Sequence, residues 1–170
     1  RSQFLRGQVD KYTWVDDGSS WVLSDVLASI LVAQLHRFQE LQSARRSVWM
    51  RYFEELYTWA KESGVSMQGR DLSNTAHLFY LIFPGAEARG RFIDYMDSKG
   101  VTAVFHYQPL HLSRSGRNWV KEGSSFPVSE QVSDGLVRLP LFSGLSESDV
   151  TRVVEVVKSY SPAQLRHSDR

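Results

Sequence analysis

The sequence predicts an α+β fold in which one long helix precedes a small, mainly antiparallel sheet of three strands with covering helices. The 40 residues 24–63 contain no Gly and no Pro, which is typical of a helix. Three later runs are short, apolar and rich in β-branched or aromatic residues, which indicates strands. These runs are Ala76–Phe83, Val101–Phe105 and Leu136–Leu139. Helical patterns separate them, and this order favours helices packed against one sheet.

The long helix is predicted to begin after Ser24, a good N-cap, and to end at Ser63, since Gly64 can terminate a helix. It would be roughly 60 Å long, whereas a compact chain of this size is only about 40 Å across. We therefore expect a break or bend near Ser43–Ser47. The first half, Val26–Leu35, is apolar around nearly the whole axis, which predicts burial on every side by protein beyond this chain.

The remaining helices are predicted at Glu87–Lys99, at Pro127–Asp134 and at Ser146–Tyr160, the last with a start, S-E-S-D, that is similar to a capping box. Residues 112–126 are rich in Ser, Gly and Arg, which predicts a loop. The chain then divides into four parts. They are a junction loop at 1–23, a connecting helix at 24–63, a small α+β domain at 64–160 and a frayed tail at 161–170.

The composition excludes several functional classes. Twenty basic and 19 acidic residues leave a net charge of +1, which argues against a dedicated nucleic-acid-binding protein. The absence of cysteine excludes disulfides, thiolate metal sites and cysteine nucleophiles. No apolar run approaches the roughly 18 residues that span a bilayer, and no signal peptide leads the chain, so we expect a cytoplasmic protein without a membrane partner.

The first candidate site is the segment Phe105–Leu112, FHYQPLHL, which directly follows a predicted strand. His106, Tyr107 and His111 place three polar aromatic groups at a strand end, where functional side chains often project. Metal binding is one hypothesis, but no carboxylate and no third histidine lies close in the sequence. A turn with half-buried aromatic residues explains the spacing equally well, and we assign no metal site.

The second candidate site is the loop Arg6–Asp25, which leads into the long helix. Lys11 and Tyr12 belong to a mixture of cations, hydrogen-bond donors and flat rings that suits a phosphate-bearing ligand. Gly18-Ser19-Ser20 lies just before the predicted helix start, where free backbone N–H groups favour anions. A plain connecting turn has the same composition and is the more common outcome of such a pattern.

Four segments, taken together, resemble successive blocks of the DegT/StrS-type sugar-nucleotide aminotransferases. They are RGQVDKYTW, GSSWVLSDVLASILVAQL, VTAVFHYQPLH and VRLPLFSGLSESDV. The similarity runs from residue 6 to residue 160, and within the family it is greatest to the branch that aminates TDP-4-oxo-6-deoxyglucose. The resemblance implies a fold-type I enzyme that depends on pyridoxal phosphate, with glutamate as amino donor and a TDP-4-oxo-6-deoxyhexose as acceptor.

The resemblance also implies which part of the enzyme this chain is. Members of the family are longer, and their large domain carries the Schiff-base lysine in a block of the type S-x-H-x-x-K. None of the lysines here stands in such a block; they are Lys11, Lys61, Lys99, Lys121 and Lys158. We therefore expect the C-terminal small domain and its connecting helix, with no catalytic residue in this chain and no activity of the chain alone. A chain that begins at Arg1 without a methionine fits this expectation.

The family's binding residues are carried over position by position. The family has G-x-N-x-R before the helix, and its Asn reaches the cofactor phosphate of the neighbouring subunit in a homodimer. Ser20 stands at the Asn position and Val22 at the Arg position, so Ser20 becomes the candidate phosphate contact.

The substrate contacts follow in the same way. The HYxPLH block is intact, and the resemblance places His106, Tyr107 and His111 over the sugar-nucleotide side of the active site. Lys11 and Tyr12, at the subunit junction, are the next candidates for substrate contact.

Two other functions fit the same residues. The chain could be a stand-alone module that binds sugar nucleotides or has a regulatory role, which would require cover for Val26–Leu35. It could also belong to the dehydratase branch of the family, in which the Schiff-base lysine is replaced.

Overall fold

The computed structural model describes residues 22–70 and 73–161. The chain divides into two compact units, Arg1–Arg37 and Phe38–Arg170. The predicted contacts Lys11, Tyr12 and Ser20, and all but the first residue of the predicted frayed tail, lie outside the described residues. The four-part division of the chain stays a prediction.

Helix α1, Asp25–His36, begins as the sequence predicted. The Ser24 side chain accepts a hydrogen bond from the backbone N–H of Leu27 at 3.3 Å, and Asp25 places a negative charge in the first turn. No residue of α1 is buried. Val26, the most exposed of its large apolar residues, is 70% exposed. The expected cover for the apolar surface of α1, by protein beyond this chain, stays a prediction.

The prediction of one helix through residues 24–63 is wrong. Helix α1 ends at His36, and Arg37 donates its backbone N–H to the carbonyl of Gln34 at 3.1 Å. Helix α2, Phe38–Ser63, follows. Neither Gly nor Pro marks this interruption, so the sequence carries no ordinary signal for it.

The break expected near Ser43–Ser47 is also wrong, since α2 is continuous there. The hydroxyl of Ser47 donates to the carbonyl of Ser43 at 3.1 Å. A serine bonded back to the preceding turn is compatible with an unbroken helix.

The sheet has four strands instead of the predicted three. They are β1 (Ser66–Met67), β2 (Phe79–Ile82), β3 (Val104–Phe105) and β4 (Leu136–Leu139), in the order β1-β2-β4-β3 with every pair antiparallel. The strand that the sequence missed is β1, because its two residues do not belong to a longer apolar run, as those of β3 do. Gly64, at φ 68°, ends α2 and allows β1 to follow at once.

Three more helices complete the second unit, close to the predicted positions. They are α3 (Ala86–Ser98), α4 (Pro127–Gly135) and α5 (Glu147–Ser159). The Ser146 hydroxyl accepts the backbone N–H of Asp149 at 3.1 Å, the cap that the S-E-S-D pattern predicts. The predicted loop at 112–126 includes the last residue of one short 3₁₀ turn, Leu110–Leu112, and all of a second, Gly116–Trp119.

One face of the sheet packs into the core and the other does not. Phe79 and Leu81 of β2 are buried and pair in register with Leu139 and Val137 of β4, whereas the alternate residues are partly exposed. Tyr52 of α2 packs its ring 5.4 Å from that of Phe79. The remaining core comes from apolar positions at helical spacing on α2, α3 and α5, among them Trp49, Leu56, Phe92, Met96, Val150 and Val157.

The junction between α4 and β4 depends on a glycine. Gly135 accepts the backbone N–H of Phe83 at 2.9 Å. A Cβ at Gly135 would overlap the carbonyl oxygen of Phe83, which is backbone and cannot easily move. The close approach of β2 to this junction therefore requires glycine.

We predict that Gly135→Ala lowers the free energy of unfolding by about 1–3 kcal/mol, since the added methyl group forces a backbone shift in a packed region. Gly90→Ala in α3 is the matched control. A Cβ there meets nothing within 4 Å, so alanine should stabilise the helix by about 0.5–1 kcal/mol. Urea unfolding of both variants measures the difference, and equal stability of Gly135→Ala and the wild type would contradict the account.

Candidate substrate site

Antiparallel pairing places the FHYQPLHL segment beside α4. Val104 and Phe105 of β3 lie opposite Arg138 and Val137 of β4. In an antiparallel pair the end of one strand meets the beginning of the other. The residues that follow Phe105 therefore run alongside the C-terminal end of α4, which leads directly into β4.

A cleft of about 460 Å³ lies between this loop and α4. The loop and α4 both contribute to its walls: His106, Tyr107, Pro109, Leu110, His111, Val128, Ser129, Val132 and Ser133. The three polar aromatic residues singled out in the sequence thus share one cleft. Their role in substrate binding stays a prediction.

The His111 ring is held by the first turn of α4 and the residue before it. Its Nε2 atom lies 3.0 Å from Oε1 of Glu130, and its centroid lies 4.6 Å from that of the Phe126 ring. The His111 side chain is 16% exposed and that of Glu130 44%. A carboxylate at an edge and an aromatic ring at a face together restrict the orientation of the imidazole.

Tyr107 is fixed through its backbone and its ring. The Ser133 hydroxyl of α4 donates to the carbonyl oxygen of Tyr107 at 2.5 Å. The guanidinium of Arg138 lies 5.3 Å from the centroid of the Tyr107 ring, within range of a cation–π interaction. The ring of the preceding residue, His106, has its centroid 3.9 Å from that of the Tyr107 ring.

Arg89 of α3 supports the same end of α4. Its Nη1 atom donates to the carbonyl oxygen of Ser133 at 2.9 Å, and its guanidinium lies 5.6 Å from the ring of Phe105. Carbonyls of the last helical turn have no partner within the helix, so a cation there is favourable. Arg89 thereby links α3, α4 and the end of β3.

The 3₁₀ turns at the end of the loop and just after it also need a glycine. A Cβ at Gly116 would overlap the carbonyl oxygen of Leu110. The backbone N–H of Gly116 donates to the Ser113 hydroxyl at 2.9 Å, and that hydroxyl donates to the carbonyl of Leu110 at 2.7 Å. These contacts hold residues 113–116 against Leu110, which lies near the end of the loop that lines the cleft.

The electrostatic surroundings of the loop are positive near His106. Burial lowers the pKa of His106 below its usual value, and the nearby Arg138 and His77 lower it further. A neutral imidazole can both donate and accept a hydrogen bond. The guanidinium of Arg138 remains charged and favours anionic groups.

The described residues do not by themselves fit a pocket for pyridoxal phosphate. That cofactor needs a lysine for its Schiff base. Of the four described lysines, none lines the cleft. Lys158 lies 3.6 Å from Glu55, and Lys99 lies 5.7 Å from the ring of Tyr95.

Sequence reasoning missed the residues that α4 and β4 contribute. Glu130 lies 19 positions after its partner in the loop, and Ser133 lies 26 positions after its own; Arg138 lies further along the chain. Only the pairing of β3 with β4 brings them together. The one signal in the sequence was Pro127, which predicts the start of a helix close before β4.

Residues 22–70 and 73–161 contain no group of three or more His, Cys, Asp or Glu side chains that could hold a metal ion. Within the same residues, no helix is both long and apolar enough to cross a membrane.

The sequence is similar to one family of known proteins. Residues 3–158 match the DegT/DnrJ/EryC1/StrS aminotransferase family. A curated relative, dTDP-3-amino-3,6-dideoxy-alpha-D-galactopyranose transaminase of Aneurinibacillus thermoaerophilus, is 28% identical over 155 residues. The matched region is 91% of this chain and 41% of the relative. The chain therefore spans less than half the length of that protein.

Solved structures share the fold. The aminotransferase TlmJ from Streptoalloteichus hindustanus matches with a TM-score of 0.69 and 28% identity, over 81% of this chain and 36% of that chain. Spr1654 from Streptococcus pneumoniae, in its PLP form, matches with a TM-score of 0.70 and 23% identity, over 80% and 35%. These matches also cover only part of each solved chain.

We predict that Arg138→Met raises the pKa of His106, because it removes a neighbouring positive charge that disfavours protonation of the ring. Arg70→Met is the control, since Arg70 pairs with Glu54 at 3.5 Å and is not among the groups that shift the pKa of His106. Titration of the histidine ring protons by NMR measures both variants. An unchanged pKa in Arg138→Met would show that this charge does not act on the loop.

Proposed function

This chain belongs to the DegT/DnrJ/EryC1/StrS aminotransferase family, and from that membership we propose that it is the C-terminal part of a pyridoxal-phosphate-dependent sugar-nucleotide aminotransferase. The complete enzyme transfers an amino group from glutamate to the 4-keto carbon of a TDP-4-oxo-6-deoxyhexose. Its product is TDP-4-amino-4,6-dideoxygalactose. In this proposal the enzyme is a homodimer, and this chain alone is inactive.

The cleft beside α4 is the observation that carries the proposal. His106, Tyr107 and His111 line one wall of it and offer ring N–H, ring N and phenol groups. A sugar nucleotide presents hydroxyls and a diphosphate, which such groups and a nearby guanidinium can bind. The aromatic rings also suit the apolar faces of a sugar. The chain therefore binds and orients the substrate in this proposal.

The cofactor chemistry lies elsewhere in the complete enzyme. Pyridoxal phosphate, when bound, supplies the electron sink for amino transfer. We place its anchoring lysine outside this chain, because none of the five lysines stands in the family's S-x-H-x-x-K block. Ser20 would contact the cofactor phosphate of the neighbouring subunit, and Lys11 and Tyr12 would contact the substrate.

The position of the new amino group is the finer part of the proposal. The name of the A. thermoaerophilus relative places the amino group on carbon 3 of the sugar. The blocks RGQVDKYTW and GSS of this chain instead resemble the branch that acts at carbon 4. We propose carbon 4 on the strength of these blocks.

We predict that residues 1–170, incubated with pyridoxal phosphate and then borohydride, take up no stoichiometric label on any lysine. Borohydride reduces a Schiff base to a stable amine, so mass spectrometry of the digested protein locates any anchored cofactor. The complete gene product is the positive control and should carry one label on a lysine outside this chain. Stoichiometric labelling of one lysine within residues 1–170 would overturn the assignment of this chain as the part without the Schiff-base lysine.

We predict that the complete gene product converts TDP-4-oxo-6-deoxyglucose and glutamate to a TDP-sugar with its amine on carbon 4. Proton–carbon correlation NMR of the product identifies the aminated carbon. TDP-3-oxo-6-deoxygalactose serves as the competing substrate. Preferred amination of that sugar on carbon 3 would reject the proposed branch but keep the reaction class, and no amination of either sugar would reject both.

A further inference from the structure

Helix α4 forms two hydrogen bonds with the loop that follows β3. One of them involves a carboxylate to which neither the sequence patterns nor the family resemblance assigned a role. Glu130 bonds the ring of His111 at 3.0 Å, and Ser133 bonds the backbone of Tyr107 at 2.5 Å. The second contact acts on the backbone alone. The first acts on a side chain that lines the cleft, so it can control what the cleft offers a ligand.

The pair of Glu130 with His111 defines the proton position on the neutral ring. A carboxylate accepts hydrogen bonds, so the nitrogen that faces it, Nε2, carries the proton. The other nitrogen, Nδ1, is then the acceptor of the ring. Without the carboxylate, either nitrogen could hold the proton, and the ring would offer a mixture of donor and acceptor.

The surroundings of the ring make this control effective. Phe126 lies against the ring with a centroid distance of 4.6 Å, and only 16% of the His111 side chain is exposed. A ring held at its face and at one edge cannot easily flip to exchange its two nitrogens. Glu130 itself is 44% exposed, so its carboxylate remains partly hydrated and does not carry the cost of full burial.

We infer that Glu130 is a positioning residue for substrate binding: it holds His111 as the Nε2–H tautomer, so that Nδ1 accepts a hydrogen bond from a hydroxyl of the bound sugar nucleotide. The inference rests on the proposed function for the identity of the ligand. The tautomer itself follows from the contacts of His111 alone.

The first arm of the test reads the tautomer in the complete gene product without substrate. Its histidine rings carry ¹⁵N, and His111→Asn identifies the signal of His111. At about pH 8 the wild type should show His111 as the Nε2–H form alone. Glu130→Ala should shift the signal to a mixture of both tautomers. Glu155→Ala, which removes an exposed carboxylate from α5, should leave it unchanged.

The second arm measures kinetics with the sugar nucleotide. Glu130→Ala should raise KM about tenfold with kcat within a factor of about two, since a lost hydrogen bond to a neutral group has that effect on binding. The isosteric Glu130→Gln keeps the packing and should give a KM between those of the wild type and Glu130→Ala. Glu155→Ala should match the wild type.

The outcomes separate the two proposals. An unchanged tautomer in Glu130→Ala overturns the positioning role, whatever the activity of the enzyme. A changed tautomer with an unchanged KM also overturns it, because His111 would then not accept from the substrate. If the wild type fails to aminate TDP-sugars, the proposed function fails, while the tautomer measurement still decides whether Glu130 orients His111.

Discussion

The antiparallel pairing of β3 with β4 is the constraint on which the candidate site depends. It sets Val104 opposite Arg138 and Phe105 opposite Val137. Because the paired strands run in opposite directions, the loop that leaves β3 and the helix that enters β4 must lie at the same end of the sheet. A shift of one residue in this register would turn Arg138 to the opposite face and away from Tyr107. The cleft is thus a consequence of sheet topology.

The interior of the second unit keeps that register in place. One face of the sheet is buried against aromatic and aliphatic residues of three helices. Two hydrogen bonds add to this packing: the backbone N–H of Phe83 donates to the carbonyl of Gly135, and the Arg89 guanidinium donates to the carbonyl of Ser133. The packed core therefore supports a loop whose side chains line the cleft. Many binding sites consist of loop residues that a packed scaffold holds in position.

The features that could be predicted from the sequence are those that depend on local patterns of residues. Helix caps, the longer strands and the polar aromatic residues of FHYQPLHL follow from periodicity and residue type. Other features depend on distant partners. Strand β1 has only two residues and exists because it pairs with β2, and the contact of Glu130 with His111 exists because β3 and β4 pair. The interruption at Arg37 carries neither Gly nor Pro, so residue types alone could not locate it.

Hydrogen–deuterium exchange on the complete gene product tests the central claim most directly. We propose that the loop after β3, which is hydrogen-bonded to α4, forms a wall of the sugar-nucleotide site. Exchange is compared with and without TDP-4-oxo-6-deoxyglucose, in peptides that cover residues 105–112 and, as an internal reference, residues 150–157 of α5. The account predicts slower exchange at 105–112 with substrate and no change at 150–157. Saturating substrate that leaves 105–112 unprotected would contradict it.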